Sequence, residues 1–434
     1  MQVLLWNELT PRQREIALAR PAMQGRAEMR DQVARIIAQV RAKGDRAVAR
    51  FTVQFDNVEL AQMEIDQEEI AAAAGQLQRD ERDAIQRAID NVTLFHEAQR
   101  RDDITVNIMP GVRCQSLVRP IENVGLYAPG GATPLPSTVI MLAVPARLAG
   151  CAVGILCTPP RADGSIHPAL LYAAQHCGVT RIFRVGGAQA VAAMAYGTES
   201  VPRVDKIFGP GNAWVTEAKQ QVANDPRGAA IDLPAGPSEV MVIADASVRA
   251  EFAAADLLAQ AEHDASAQAI MVTTSRSIAR MVVAELRNQV RRLSRRKILA
   301  ASIRNLRIIC VSDFGAAIDI ANLYAPEHLI VQCREPEKWL PRLRNAGSVF
   351  LGEWTPEPIG DYCSGTNHVL PTYGYARNYS GLGLADFQRR MSVQTLTQKG
   401  LARLGPTAVT LAKIEGLDAH AQAVELRLAR ASNR

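Results

Sequence analysis

The chain has 434 residues with a formal net charge of +5, and 48% of its residues are hydrophobic. This length and composition are typical of a globular protein with two or three domains. Because acidic and basic residues are intermixed, nucleic-acid binding is not expected, and we interpret the one basic stretch, 287–297, as the solvated end of a helix.

The N-terminal part of the chain is predicted to be helical. Thr10 as N-cap and Pro11 in the first turn predict a short helix to about residue 20. A longer helix is expected over 28–42. Asp66 and Glu69 have the spacing of a capping box, which predicts a further helical region reaching about residue 100.

From Val124 onward, short β-rich runs alternate with helical stretches in two successive series. The first series runs from VGLYAP to AIDLPAG, and the second runs from VMVIAD to SVFL. Such alternation predicts an α/β fold in which parallel sheets are covered by helices on both faces. Two series imply two α/β domains, with a boundary near Pro237.

After Asp386 the pattern is predicted to be helical only, with breaks at 405–406 and at Gly416. A tail this short cannot bury its apolar stripes within itself, so it must pack on the rest of the chain or on a partner. A dimer is therefore plausible. The stripes consist of Leu396, Leu401, Leu404, Leu411, Ile414, Leu417, Val424 and Leu428.

Neither a signal peptide nor a membrane span is expected. The N-terminus lacks a basic start followed by a long apolar run, and the longest apolar region, 139–157, is interrupted by Pro145, Arg147 and Gly150. The 7 cysteines include no CxxC pair, which favours reduced thiols in the cytoplasm.

Histidines and their polar neighbours concentrate in four short segments of the C-terminal half. These are QAEHDASAQ from Gln260, YAPEHLIV from Tyr324, GDYCSGTNH from Gly360 and EGLDAH from Glu415, with His263, His328, His368 and His420. Each histidine has a carboxylate or amide within a few positions, as zinc binding and acid–base chemistry require. We therefore expect an enzyme with a metal-assisted acid–base site.

The possible metal ligands have structural alternatives. Gln260 and His263 stand i, i+3 on a helix that Ser247 could cap, which suits a mixed N/O zinc site but equally two solvated polar residues. Asp361, in a loop rich in Gly, Ser and Thr, and His420, at the start of the last helix, are each explained more simply by structural roles. The four residues together match no zinc spacing.

Glu327 and His328 lie between a predicted helix and a buried strand. Such a junction can bring both side chains to a cleft at the carboxyl edge of a sheet, where they could transfer protons. The alternative is an ordinary polar loop. Cys363, two residues after Asp361, could be a nucleophile in aldehyde oxidation, but no group that would lower its pKa is evident, so this role is disfavoured.

Three glycine-containing turns between strand and helix favour a phosphate or cofactor cleft, although no complete GxGxxG is present. They are YAPGGATPLPST, VGGAQAV and GPGNAW, the last with Trp214 in the place of the third glycine. The helix N-terminus after such a turn can face a phosphate.

In this wording and order, the segments resemble the histidinol dehydrogenase family from about residue 27 to the end. The resemblance is carried by long matches that include GLYAPGGATPLPST, KIFGPGNAWVTEAK, IDLPAGPSEVMVIAD, DLLAQAEH, YAPEHLIV, GDYCSGTNHVLPTYG and the closing GLDAH. It implies oxidation of L-histidinol to L-histidine in two steps, with two NAD+ and with L-histidinaldehyde held between them. It also implies a homodimer of subunits with two incomplete Rossmann-like domains and small helical tails.

Carried over by position, the resemblance implies roles for individual residues. One zinc ion per subunit would be held by Gln260, His263, Asp361 and His420, with His420 supplied by the partner subunit. His328 would take the substrate's hydroxyl proton and Glu327 would activate a water. Ser238, His368 and Glu415 would line the substrate pocket, and Tyr127, Gln189 and Asn212 would contact NAD.

The resemblance also implies domain limits. Residues 27–120 with 238–380 would carry the metal and catalytic residues, 121–237 would form the NAD side, and 1–26 and 381–434 would be helical tails, the second exchanged across the dimer. A zinc-dependent hydrolase and a non-catalytic relative of the same fold are the alternatives. The cofactor turns argue against the hydrolase, and the presence of every proposed site residue argues against the non-catalytic relative.

Overall fold

The computed structural model describes residues 3–21, 26–130, 133–234 and 236–432. The chain divides into two compact units, Met1–Ala98 with Glu122–Phe387 and Gln99–Ile121 with Gln388–Arg434. Gly131 and Ala132 of the predicted YAPGGATPLPST turn and Ala235 of the AIDLPAG run lie outside the described residues.

The larger sheet of the first unit is parallel throughout its described strands. Its strands are β1 (Val3–Leu5), β9 (Glu239–Ala244), β10 (Gln268–Thr273), β11 (Arg307–Cys310), β12 (His328–Gln332) and β13 (Ser348–Leu351), in the spatial order β1-β11-β10-β9-β12-β13. The register sets His328 opposite Val240 and Gln268 opposite Glu239, so the amino ends of β9, β10 and β12 meet at one edge.

The smaller sheet of the first unit is also parallel in the residues described. Its strands are β4 (Asn123–Tyr127), β5 (Val153–Cys157), β6 (Arg181–Phe183), β7 (Lys206–Phe208) and β8 (Ala230–Ile231), in the order β6-β5-β4-β7-β8. Both series of the sequence pattern therefore form parallel sheets, and the predicted α/β class is confirmed.

Helices cover both faces of the larger sheet, and the side chains along β9 alternate between the two cores beneath these helices. Val240 and Val242 pack in one core with the helices after β9 and β10, whereas Met241 and Ile243 pack in the other with the helix before β12. The helices of this region are α1 (Pro11–Leu18), α10 (Ala250–Ala261), α11 (Arg276–Val290), α12 (Arg296–Ser302), α13 (Phe314–Tyr324) and α14 (Glu357–Tyr362).

The helices around the smaller sheet include four that lie between residues 26 and 97. They are α2 (Arg26–Lys43), α3 (Asp45–Asp56), α4 (Gln67–Ala72), α5 (Arg79–Glu97), α6 (Pro136–Ala149), α7 (Pro168–His176), α8 (Gly187–Tyr196) and α9 (Ala213–Ala223). Val33 and Phe51 share a core with Phe183 and Val191. This differs from the expected grouping of 27–120 with 238–380.

Polar contacts at the edge of the smaller sheet also join this region to it. The N–H of Ile65 donates to the carbonyl of Ile182 at 2.8 Å, and Glu64 binds Arg181 at 2.7 Å. These bonds join residues far apart in sequence, which a local pattern does not indicate.

The predicted helix caps have mixed outcomes. Thr10 accepts from the N–H of Gln13 in a capping box, as predicted. The capping box at Asp66 is wrong, because the Asp66 side chain makes no capping bond to α4. Ser247 is not the cap of α10 either, since it donates to Asp245 and Arg249 occupies the N-cap position.

The second unit contains an antiparallel sheet of β2 (Ile104–Met109), β3 (Val112–Pro120) and β14 (Gln388–Leu396), with helices α15 (Gln398–Ile414) and α16 (Asp418–Ser432). The prediction that the chain is helical only after Asp386 is therefore wrong. β14 lies mostly exposed and is defined by pairing with β3, so it lacks an alternating apolar pattern.

The N-terminal segment is also more than a helix, because Val3–Leu5 adds a parallel strand to the larger sheet beside β11. In the part of the chain that the structure describes, no helix combines the length and apolarity required to cross a membrane.

Candidate active site

The predicted acid–base pair lies at the amino edge of the larger sheet. His328 is the first residue of β12, Glu327 precedes it, and Ser238 stands in the same way before β9. The expectation of a carboxyl-edge cleft is wrong for this pair. The helix–strand junction was recognised correctly, but a residue that follows a helix and opens a parallel strand must lie at the opposite edge.

His328 is 3% exposed and is held through its Nδ1 atom. Nδ1 lies 3.1 Å from the carbonyl oxygen of Glu239 and 3.1 Å from Oε1 of Gln260, so it carries the proton and donates. Nε2 has no hydrogen-bond partner and lies 3.5 Å from Asp361 Oδ1. With a proton on Nδ1, Nε2 is the nitrogen at which His328 gains or loses a second proton.

The electrostatic surroundings of His328 are strongly acidic. Burial alone would lower the pKa of His328, but the carboxylates of Glu357, Glu327 and Asp361 together raise it well above its usual value. Nδ1 lies 3.6 Å from Glu357 and 3.8 Å from Glu327. Such an excess of buried carboxylates is expected where a cation binds.

Glu327 is 5% exposed, and its Oε2 accepts from the N–H of Glu239 at 2.8 Å. Burial raises the pKa of Glu327 to about 8. A carboxylate with this pKa is a much stronger base than an exposed glutamate, which suits activation of a water. Gly347 packs against it, since a Cβ there would lie 2.6 Å from the Glu327 carbonyl oxygen.

Three side chains beside this pair could hold a metal ion. Ligand atoms of His263, Glu357 and Asp361 lie within 4.8 Å of one another. His263 follows α10 and is exposed, whereas Glu357 and Asp361 stand i, i+4 on α14 and are nearly buried. The structure thus brings together two of the four predicted zinc ligands and adds Glu357.

Glu357 is a site residue that the sequence analysis missed. It is 1% exposed, burial raises its pKa to about 7, and its Oε2 has no hydrogen-bond partner. Its spacing from Asp361 gave a usable signal, because residues four apart on a helix share a face. The signal was obscured by Pro358 and Gly360, which made this stretch look like a loop.

Gln260, the remaining predicted ligand of the first unit, is fully buried at the end of α10. Its Oε1 faces His328, and its Nε2 has no hydrogen-bond partner. The unpaired carboxylate oxygen of Glu357, with the acidic field around His328, fits a bound divalent cation.

The predicted pocket residues of the first unit lie beside the cluster. His368 donates from Nδ1 to the carbonyl oxygen of Asp361 at 2.8 Å, and its Nε2 lies 3.4 Å from the hydroxyl of Thr138 on α6. His368 therefore links α14 to α6, a helix of the smaller sheet. Ser238 is half-buried, and its carbonyl accepts from the N–H of Gln268.

Glu415 and His420 belong to the second unit, where Glu415 caps the end of α15 and His420 lies in the first turn of α16. Both side chains are exposed. The structure does not place either of them in the cluster of His263, Glu357 and Asp361.

Cys363 ends α14 and is half-buried, and its carbonyl oxygen accepts from Asn91. Cys114, Cys157, Cys177, Cys310, Cys333 and Cys363 are free thiols.

The three predicted NAD contacts lie at the carboxyl edge of the smaller sheet. Tyr127 ends β4 and its hydroxyl accepts from the N–H of Gly187 at 3.1 Å. Gln189, in the first turn of α8, is 1% exposed, and its Oε1 has no partner. Asn212 caps α9 through bonds to the N–H groups of Trp214 and Val215. The edge is the one at which α/β sheets bind cofactors.

A buried ion pair fixes the GPGN turn before α9. Lys219 donates to Asp232 at 2.5 Å and to the carbonyl of Gly209 at 2.8 Å, while the N–H of Gly209 donates to Asp232 at 2.7 Å. Gly209 has φ +120°, and a Cβ there would lie 2.1 Å from the carbonyl oxygen of Tyr127. Glycine and the ion pair therefore set the turn together.

Replacing Lys219 by methionine is expected to lower the free energy of unfolding by about 3–5 kcal/mol, because Asp232 would keep a buried charge without a partner. Urea unfolding measures the change. The matched control is Lys413→Met, which removes an exposed pair with Glu425 and should change stability little. A Lys219→Met variant as stable as the unmodified chain would show that the pair does not hold the turn.

Comparisons with known proteins identify the family to which the chain is similar. A sequence model described as histidinol dehydrogenase matches residues 19–428. The histidinol dehydrogenase of Vibrio cholerae serotype O1 is 52% identical over 428 residues, covering 99% of this chain and 98% of its own. That of Xanthomonas oryzae pv. oryzae is 52% identical, covering 99% of each chain.

A solved structure gives the same result at the level of the fold. The crystal structure of histidinol dehydrogenase from Elizabethkingia anophelis superposes with a TM-score of 0.95 and 42% identity, covering 100% of this chain and 99% of that chain. The chain belongs to the histidinol dehydrogenase family.

Proposed function

We propose that the cluster at the amino edge of the larger sheet is the site at which the family's reaction occurs, with one zinc ion per subunit. The family oxidises L-histidinol to L-histidine in two NAD-dependent steps, the last steps of histidine biosynthesis. The observation that carries the proposal is the group of Gln260, His263, Glu357 and Asp361 around the buried His328, in which only His263 is exposed.

Zinc would be held by Gln260, His263 and Asp361 together with the partner subunit's His420, and when bound it would orient the substrate and offset the negative field. Glu357 supplies a further carboxylate within reach of His263 and Asp361. The donor set of one amide, two imidazoles and carboxylate suits zinc, which accepts nitrogen and oxygen ligands.

The acid–base roles follow from the atoms that are free. Nε2 of His328 accepts the hydroxyl proton of L-histidinol as the carbinol hydrogen leaves as hydride to NAD+, which gives L-histidinaldehyde and NADH. In the second oxidation, Glu327 takes a proton from a water molecule as the water oxygen adds to the aldehyde carbon. The resulting hydrate anion then transfers a hydride to a second NAD+ and becomes the carboxylic acid of L-histidine, which releases its proton to solvent.

The binding sites follow from the two sheets. Ser238, His368 and Glu415 are assigned to the substrate pocket, and Tyr127, Gln189 and Asn212 to NAD. The unpaired Oε1 of Gln189 and the glycine turns beside Tyr127 and Asn212 support a polar ligand at this edge. Residues 121–237 would thus bind NAD, and residues 238–380 would carry the metal ligands of the first unit.

A homodimer completes the proposal. The second unit exposes Ile104, Val106 and Ile108 on the edge strand β2 and Ile414 on α15. An edge strand with exposed apolar side chains is usually covered in the assembled protein. Packing of this unit on a second copy would cover these residues and bring Glu415 and His420 to the partner's metal site.

Hybrid dimers test whether each site is shared. A chain carrying His263→Asn and a differently tagged chain carrying His420→Asn are co-expressed, and doubly tagged dimers are purified. If the tails are exchanged, one active site contains both the His263→Asn and the His420→Asn change. The other active site contains neither. The hybrid should then regain about half of the unmodified turnover and one zinc per dimer, whereas each variant homodimer stays nearly inactive.

The control hybrid pairs His263→Asn with His328→Asn. Both changes lie in the first unit, so each site keeps one defect and the hybrid should be inactive. An inactive first hybrid that still purifies as a dimer would contradict the exchange. A fully active His420→Asn homodimer would remove His420 from the zinc ligands.

A further inference from the structure

Glu239 contacts both members of the acid–base pair through its main chain. Its N–H donates to Oε2 of Glu327 at 2.8 Å, and its carbonyl oxygen accepts from Nδ1 of His328 at 3.1 Å. These bonds orient the Glu327 carboxylate and fix which nitrogen of His328 carries the proton. A shift of the Glu239 backbone would therefore move both groups.

The side chain of Glu239 is buried, with 2% exposure, and is held by a residue from the N-terminal segment. Arg20 binds it with two parallel bonds, Nε to Oε1 at 2.5 Å and a second guanidinium nitrogen to Oε2 at 2.9 Å. The N–H of Tyr373 also donates to Oε1, at 2.8 Å. A bidentate arginine fixes a carboxylate in orientation as well as in place.

Arg20 also reaches the loop that leads into Glu327. It donates to the carbonyl oxygens of Tyr324 at 2.9 Å and Ala325 at 3.4 Å, and its guanidinium lies 4.0 Å from the Tyr324 ring centroid. The same guanidinium thus joins the amino ends of β9 and β12, on which the two catalytic groups stand.

Strained backbone occurs at two of these contact points. Ala325 has φ +53° and Tyr373 has φ +55°, a region that non-glycine residues seldom adopt. Ala325 presents its carbonyl to Arg20, and Tyr373 presents its N–H to Glu239. Such strain persists where the surrounding bonds compensate for it, which indicates that this arrangement is required.

The chain on both sides of Arg20 is anchored as well. The carbonyl of Ala19 accepts from Gln268 at 3.0 Å, and the carbonyl of Pro21 accepts from the hydroxyl of Tyr373 at 2.9 Å. Arg20 is therefore held in place by its own main chain, and the pair with Glu239 does not depend on the side chain alone.

We propose that Arg20 and Glu239 are positioning residues for the two oxidations, and that the N-terminal segment serves the active site through them. The proposal rests on the roles assigned above to Glu327 and His328. Neither Arg20 nor the Glu239 side chain has to contact the substrate. Their action is to hold the Glu239 main chain, and through it the carboxylate and imidazole, in the reactive geometry.

Arg20→Met tests the proposal in the full-length enzyme with zinc bound. The kcat for L-histidinol oxidation is expected to fall about 10- to 100-fold, because small displacements of catalytic groups have effects of this size. The KM for NAD and the zinc content should stay near those of the unmodified enzyme. Arg20→Lys, which keeps the charge without the bidentate fork, should recover part of the kcat.

The matched control is Arg14→Met. Arg14 lies on α1 of the same N-terminal segment, donates to the carbonyl of Trp6 and faces the Trp6 ring, as Arg20 does with Tyr324, but it does not contact Glu239. This variant should keep the kcat of the unmodified enzyme. An equal fall in kcat for both variants would mean that only the stability of the segment matters, and would overturn the proposal.

A double variant distinguishes the loss of positioning from the effect of leaving an unpaired charge buried. Arg20→Met with Glu239→Gln removes both charges, so no unpaired carboxylate is left behind. Its kcat should stay as low as that of Arg20→Met, since the fork that holds the main chain is still missing. Recovery of the full kcat would overturn the proposal.

The roles assigned to Glu327 and His328 can be disproved independently of the positioning role of Arg20. His328→Asn with an unchanged kcat would remove the proposed function, whatever Arg20 does. His328→Asn with a greatly reduced kcat, together with Arg20→Met at the unmodified kcat, would contradict only the positioning role.

Discussion

Replacing His328 by asparagine is expected to lower kcat by roughly 10²–10⁴, the range observed when a general base is lost. Asparagine keeps a side-chain N–H donor that can reach the carbonyl oxygen of Glu239, so a hydrogen bond equivalent to that of Nδ1 is retained. What is lost is Nε2, which has no hydrogen-bond partner and is the atom assigned to take the substrate proton.

Steady-state NADH formation with saturating L-histidinol and NAD+ measures this effect. The zinc content should be unchanged, because His328 is not an assigned ligand. His176→Asn is the matched control, since His176 also bonds a carbonyl oxygen through Nδ1, that of Tyr172, but lies on α7 and is exposed. Near-normal turnover of the His328 variant would exclude His328 as the base.

Much of the fold followed from local pattern because parallel strands here are buried on both faces. β9, β10 and β12 are wholly buried and read as continuous apolar runs, each followed or preceded by a helix. By contrast, β14 is mostly exposed, and it is defined as a strand by its pairing with β3, which lies far away in the sequence. Pairing partners distant in sequence leave no local signal.

The candidate site was predicted in part for the same reason. Gln260 and His263 share one helix end, and Glu327 and His328 share one junction, so local spacing was sufficient to group each pair. Which edge of the sheet Glu327 and His328 occupy depends on strand direction, and the predicted carboxyl edge is wrong for this pair. The family resemblance supplied the residue roles but not this geometry.

The contacts that organise the site are the least predictable part. Arg20 and Glu239 are separated by more than 200 residues, and no feature of either segment indicates the pair. Glu357 was hidden for a different reason, since Pro358 and Gly360 disguise a short helix whose i, i+4 face it shares with Asp361. Long-range pairing and context-dependent helices both override local propensity.

Glu327→Gln is expected to separate the two oxidations. Glutamine keeps an oxygen that can accept from the N–H of Glu239, as Oε2 of Glu327 does at 2.8 Å, but it cannot take a proton from water. The first oxidation is assigned to His328 and should continue. The second should slow by roughly 10²–10⁴, so that each molecule of L-histidinol yields about one NADH instead of two.

Rapid mixing makes the distinction sharp because the aldehyde is expected to stay in the site. The variant should show a burst of about one NADH per site, followed by a slow phase limited by hydration of the aldehyde. Glu64→Gln, which alters a carboxylate engaged by Arg181 outside the cluster, should behave like the unmodified enzyme.

Two NADH per L-histidinol at the unmodified rate would exclude Glu327 as the base that activates water. Loss of the burst itself would instead mean that Glu327 is needed for the first proton transfer. In that case, its carboxylate 3.8 Å from Nδ1 of His328 would act by tuning the imidazole rather than by activating water. The size of the burst therefore decides between these two roles, because one buried carboxylate lies beside both the Glu239 main chain and the imidazole of His328.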